Sequence, residues 1–140
     1  MKKASWIVLL VVGVVILGLS LISTGVALRG DWPIGPTTLV ELEAAVPGTG
    51  VPLRGARGTA AAFGAAYGVL FLTIVLGPYR RGEAWAWWGL LGSSLVLAAL
   101  ILLRVPLIGT TLGMPSAIVP LGLVLLGLGL DLGRVRGPGK

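Results

Sequence analysis

The chain contains no histidine, cysteine, asparagine or glutamine, and only five acidic residues among its 140. Each absence removes a class of chemistry. Without thiols there is no disulfide, thiolate nucleophile or cysteine metal site. Without imidazole, the usual general acid–base work and most zinc, haem or copper ligation lose their side chains. No cofactor and no metal is expected. Charge of either sign is also scarce, at 11% of residues, where the surface of a soluble domain calls for roughly 25%. The remainder is 56% hydrophobic, with a mean hydropathy of +1.00. This is a membrane composition, and the lipid bilayer is the first expected partner. The formal net charge of +6 does not point to nucleic acid, because the basic residues sit at the ends of apolar runs and not on one helix or face.

What is present is organised around a polar turn with an aromatic flank, Pro78-Tyr79-Arg80-Arg81-Gly82-Glu83-Ala84-Trp85-Ala86-Trp87-Trp88. Three charges within four residues enter hydrocarbon at high cost, whereas tryptophan favours the headgroup level. The stretch therefore reads as a turn at a membrane surface, dividing two hydrophobic hairpins. Before it, residues 6–28 form an uncharged run of 23, about 34 Å as a helix and long enough for a first span. A secretory signal peptide is the rival for this run, since Lys2 and Lys3, the apolar stretch and Gly25-Val26-Ala27 imitate its three regions. The run exceeds the usual apolar length of such a peptide, and an anchor is preferred.

Residues 29–57 change composition abruptly and form the one extended extramembrane piece, with Arg29, Asp31, Glu41, Glu43, Arg54 and Arg57 as candidate contacts. Within it, residues 37–46 should form a short helix, because Thr38 and Glu41 have capping-box spacing and Pro36 and Pro47 bracket the run. The second span, residues 59–77, is rich in small residues. Ala60, Gly64 and Gly68 recur every four positions, so another backbone can approach that face, either inside the bundle or as a seam for a protein partner or second copy. After the turn of 78–84, residues 85–103 make the third span, with a weaker small pair at Ser94 and Ala98.

Trp6, Trp32, Tyr79, Trp85, Trp87 and Trp88 are expected as interfacial anchors, although the last three tryptophans cannot share one helical face. Beyond Arg104 two parses compete. In the preferred one, 104–114 is an outer turn and the fourth span begins at Pro115 and runs to 132. In the other, a helix starts near Leu107 and bends at Pro115 and Pro120. A basic tail, 133–140, follows.

The expected fold is therefore all-α: a polytopic four-transmembrane-helix bundle with a short helix in its long outer loop. Lys2, Lys3, Arg80, Arg81, Arg134, Arg136 and Lys140 fall on one side, against Arg29, Arg54, Arg57 and Arg104 on the other. Both termini are thereby expected in the cytoplasm and the long loop outside, in a cell inner membrane. This layout, with its "YRRGEAWAWW" turn, resembles that of small four-helix bacterial membrane proteins of the DoxX-like kind. The resemblance implies a fold and carries no catalytic motif.

Three functions fit the sequence. The leading one is a non-catalytic accessory, assembly or partner-binding bundle, since no side chain in the spans titrates near neutral pH before Asp131. A small transporter or channel is the second. A membrane enzyme is third, because its acid–base candidates, Asp31, Glu41, Glu43, Glu83, Asp131, Tyr67 and Tyr79, show no catalytic pairing.

Overall fold

Six α-helices, one π-turn and one two-stranded hairpin account for the ordered elements of the described residues, which in this computed structural model are 2–108 and 114–132. Helix α1 spans Lys2–Arg29 without interruption, in keeping with a run that contains no proline. The hairpin follows, β1 (Pro33–Ile34) pairing antiparallel with β2 (Thr37–Thr38). Its two-residue turn, Gly35-Pro36, places Gly35 at φ +63°, the positive φ that a primed hairpin turn needs at its first central residue. The sequence predicts no such hairpin, because strands of two residues are too short for any alternation to register.

Helix α2 (Leu39–Ala45) starts where Thr38 caps it. The Thr38 side chain accepts from Glu41 N while the Glu41 side chain accepts from Thr38 N, a complete capping box. Helix α3 (Gly50–Ile74) begins well before the expected residue 59, so residues 50–57 are helical and not loop. Pro52 permits this because it falls in the first turn, where no backbone N–H has an intrahelical acceptor.

The expected turn at 78–84 is also largely helical. A π-turn at Val75–Tyr79 widens the backbone around Pro78, which has neither the N–H nor the room for a regular α-turn. The helix ends at Gly82, φ +90°, whose N–H donates to Tyr79 O while Glu83 N donates to Pro78 O. This pair of bonds is a Schellman cap, which requires the left-handed residue that glycine supplies. Helix α4 (Ala84–Leu102) follows, then α5 (Arg104–Ile108) and α6 (Met114–Gly129). Residues 104–108 are thus helical where the sequence predicts an outer turn, Pro106 again lying in a first turn. Residues 109–113 of that turn, and the tail with Arg134, Arg136 and Lys140, lie outside the described residues.

Among the described residues three helices are long and apolar enough to cross a membrane, Ala4–Arg29, Gly50–Tyr79 and Ala84–Leu107. Their large apolar side chains face outward along the whole length, as at Ile7, Val14, Phe63, Val69, Val96 and Leu100. A soluble protein rarely exposes so much contiguous apolar surface, and a bilayer removes its cost. Helix α6, with 16 residues, covers only about 24 Å.

The chain divides into two compact units, Val14–Val69 and the described parts of Met1–Gly13 with Leu70–Lys140. In the first unit α3 lies against α1. A Cβ on Gly68 would come within 3.1 Å of the Leu17 backbone, and one on Gly64 within 2.6 Å of Ser20 Oγ, so both glycines sit where the helices approach closely. Ala60, expected on the same seam, is exposed, and its neighbour Ala61 is the buried residue. In the second unit α4 packs on α6, and Ser94 and Ala98 are both buried.

Candidate functional site

Two polar clusters stand out, one in each unit. In the unit that holds α4 and α6, the last turn of α6 leaves carbonyls with no partner inside the helix, as every helix C-terminus does. Side chains supply the donors. Ser5 Oγ, on α1, donates to Gly127 O at 2.7 Å and shares a 2.5 Å hydrogen bond with Tyr79 Oη from the π-turn. Trp87 Nε1, on α4, donates to Leu128 O at 3.1 Å, and the same oxygen receives Asp131 N at 3.1 Å. Ser5, Tyr79, Trp87 and Asp131 are all buried, Asp131 with 4% of its surface exposed.

Tyr79 and Trp87, expected as interfacial anchors, are instead buried within this unit, and the Asp131 carboxyl is buried as well. The reason is geometric. Trp85 and Trp88, three apart, share one side of α4, whereas Trp87 lies about 100° or more round the helix from both and turns inward. Trp85 and Trp88 remain outward, each more than half exposed.

At the surface of the same unit, the Arg80 guanidinium lies 4.9 Å from the centre of the Trp6 ring. Glu83 accepts from Arg81 Nε at 2.8 Å and from Trp85 Nε1 at 2.6 Å. Hydrogen bonds from Arg81 and then Trp85 hold the Glu83 carboxyl below its ordinary range. The charges of this turn therefore stay at its rim, anchored by aromatic rings.

The other cluster surrounds the C-terminus of α1. Arg54, in the second turn of α3, donates through Nη1 to Gly30 O at 2.7 Å and to Ala27 O at 3.4 Å. Its guanidinium lies 5.5 Å from the centre of the Trp32 ring, and that of Arg57, one turn on, lies 4.6 Å from the same ring. Trp32, expected as an interfacial anchor, is half-buried with both cations against its ring. Arg29 is exposed at the end of α1.

The acidic residues of this unit are occupied elsewhere. Asp31 accepts from Trp32 N and Val40 N, tying the start of the hairpin to α2. Desolvation raises its pKa, but hydrogen bonds from Val40, Thr38, Trp32 and Leu39 outweigh that and hold it below the ordinary value. Glu41 is lowered likewise, by the Thr37 hydroxyl first and then Thr38 N. The Glu43 carboxylate fills the space that a side chain at Gly50 would need, at the N-terminus of α3, where negative charge meets the positive end of the helix dipole. Within the described residues no carboxylate lies within 4 Å of Arg54 or Arg57.

None of these groups forms a nucleophile–base pair, and no group of three or more His, Cys, Asp or Glu that could hold a metal occurs among the described residues. No family model, curated protein or solved structure matches the chain.

Proposed function

We infer that this is an integral protein of the inner membrane with four spans, both termini cytoplasmic and the Trp32 region outside, acting as a non-catalytic accessory, assembly or partner-binding subunit. One observation carries this reading: the Ser5 hydroxyl and the Trp87 indole, inside the bundle, donate to helix-end carbonyls of α6. Such side chains hold helices together and leave little for transport or catalysis. The excess of Lys and Arg around the N-terminus and the Arg80–Arg81 turn supports the orientation. A fourth span requires α6 to be extended by its flanking residues, or the bilayer to thin around it. Copurification from native membranes tests the function, with a stoichiometric protein partner expected. Loss of the first span from the mature protein, or an externally accessible C-terminal tag, would sink the topology.

The buried Asp131 favours a second reading, a small transporter or channel, since intramembrane carboxylates mark ion paths. Reconstituted protein separates the two. The accessory reading expects no pH-gradient-driven flux, and a flux abolished by Asp131→Asn or Glu83→Gln would replace it with the transporter.

A further inference from the structure

We propose that Trp32, Arg54 and Arg57 form a site for a phosphate group at the membrane surface, an inference that goes beyond the accessory reading and does not depend on it. Three observations converge. First, the Nε of Arg57 is shielded from water and has no acceptor among the described residues. That donor is enclosed and its need unmet, so the guanidinium charge is undercompensated, and an anion reaching the Nη edge would balance it. Second, the Trp32 ring holds two guanidiniums at 4.6 and 5.5 Å, while Asp31 and Glu41 are bound to backbone amides and a hydroxyl and Glu43 lies beside Gly50 at the start of α3. Stacking fixes the guanidinium plane yet leaves its edge donors available for a tetrahedral oxyanion. Third, the cluster lies where α1 ends and α3 begins, at the boundary of two helices apolar enough to cross a membrane. That boundary is the headgroup level, where phosphate is the abundant anion.

Two sources carry this chemistry, a phospholipid headgroup and a free phosphate ester. The experiment is native mass spectrometry of the full-length protein in detergent, titrated with phosphatidylglycerol, with diacylglycerol, and with glycerol 3-phosphate as competitor. Wild-type protein should retain phosphatidylglycerol, and Arg57→Gln should weaken retention at least about tenfold, the loss expected for a charge-assisted contact. Arg57→Lys keeps the charge without the planar fork and should fall between them, which keeps the test valid should Arg57→Gln fold poorly. Competition by glycerol 3-phosphate would identify the phosphate ester itself as sufficient, and failure to compete would identify the intact lipid. Either result supports the site. Diacylglycerol binding as strongly as phosphatidylglycerol, unchanged retention in Arg57→Gln, or an equal loss in Arg29→Gln would overturn it, the last by showing diffuse charge attraction.

Discussion

The ends of α1 and α6 pose the same problem and receive different solutions. Both leave backbone carbonyls that their own helix does not satisfy, and both are capped by side chains from other helices. At the end of α1 the donor is a guanidinium, Arg54, half-buried at the edge of the apolar stretch. At the end of α6 the donors are neutral, a serine hydroxyl and an indole, and both are buried. Where water is near, a full charge is tolerable and gives the stronger bond. Where it is excluded, an uncompensated cation would cost more than its hydrogen bonds return, and weaker neutral donors prevail. Because the chain lacks Asn, Gln and His, the neutral donors available at the buried end are limited to hydroxyls and indoles.

The largest effect should come from the neutral cap. Trp87→Ala removes a buried ring and should destabilise the fold by about 3–5 kcal/mol, whereas Trp87→Phe, which keeps most of the bulk and loses the N–H, should cost about 1 kcal/mol. Unfolding in mixed micelles measures both, and a Phe variant as stable as wild type would show that the indole cap contributes nothing. The charged cap comes next. Arg54→Gln should cost about 1.5–3 kcal/mol, confined to faster hydrogen exchange in the last turn of α1. Faster exchange spreading evenly through α4 and α6 would contradict a local cap.

Ser5→Ala should be smaller again, about 0.6–1.7 kcal/mol, the range for hydrogen bonds between membrane helices. The same unfolding experiment reads it, and a loss above that of Trp87→Ala would invert this order. The smallest effect should be that of pH on the hairpin. Asp31 and Glu41 have folded-state pKa values below their ordinary 3.8 and 4.5, so their contribution is complete above those values and fades as pH falls through the lower folded ones. Amide exchange at Val40 and Glu41 should therefore be flat from pH 7 to about 5, after correction for intrinsic rates, and lose protection below about pH 4. Protection that persists to pH 2 would show that the carboxylates do not hold the loop.

The long helices and the capping box of α2 are legible in the sequence because their signals are local: uncharged runs, and two residues three apart. The early start of α3 is hidden by Pro52, which reads as a breaker until its place in a first turn is known. The caps are not legible. Ser5, Arg54 and Trp87 bind carbonyls 24 to 122 residues away, and a backbone acceptor carries no sequence signature. Tyr79 and Trp87 mislead for a related reason, since an aromatic ring beside a polar turn has the same composition whether it meets lipid headgroups or a helix end. That Trp85, Trp87 and Trp88 cannot share a face is the one clue that a ring must turn inward.

The Ser5 bond to Gly127 also imposes an order of assembly. A chain made from its N-terminus presents α1 first, and its serine must wait until 122 further residues have been added before that carbonyl arrives. The Trp87 bond closes over a separation of only 41. Closing the shorter loop first costs less chain entropy, so α4 and α6 should pair before α1 is locked to them. Until then the Tyr79 hydroxyl, 74 residues on, is the earlier partner within reach of Ser5. A nascent chain stalled short of Gly127 would therefore keep the packing of α1 on α3 but leave Ser5 without its Gly127 acceptor, and its resistance to extraction or proteolysis should rise further as α6 completes.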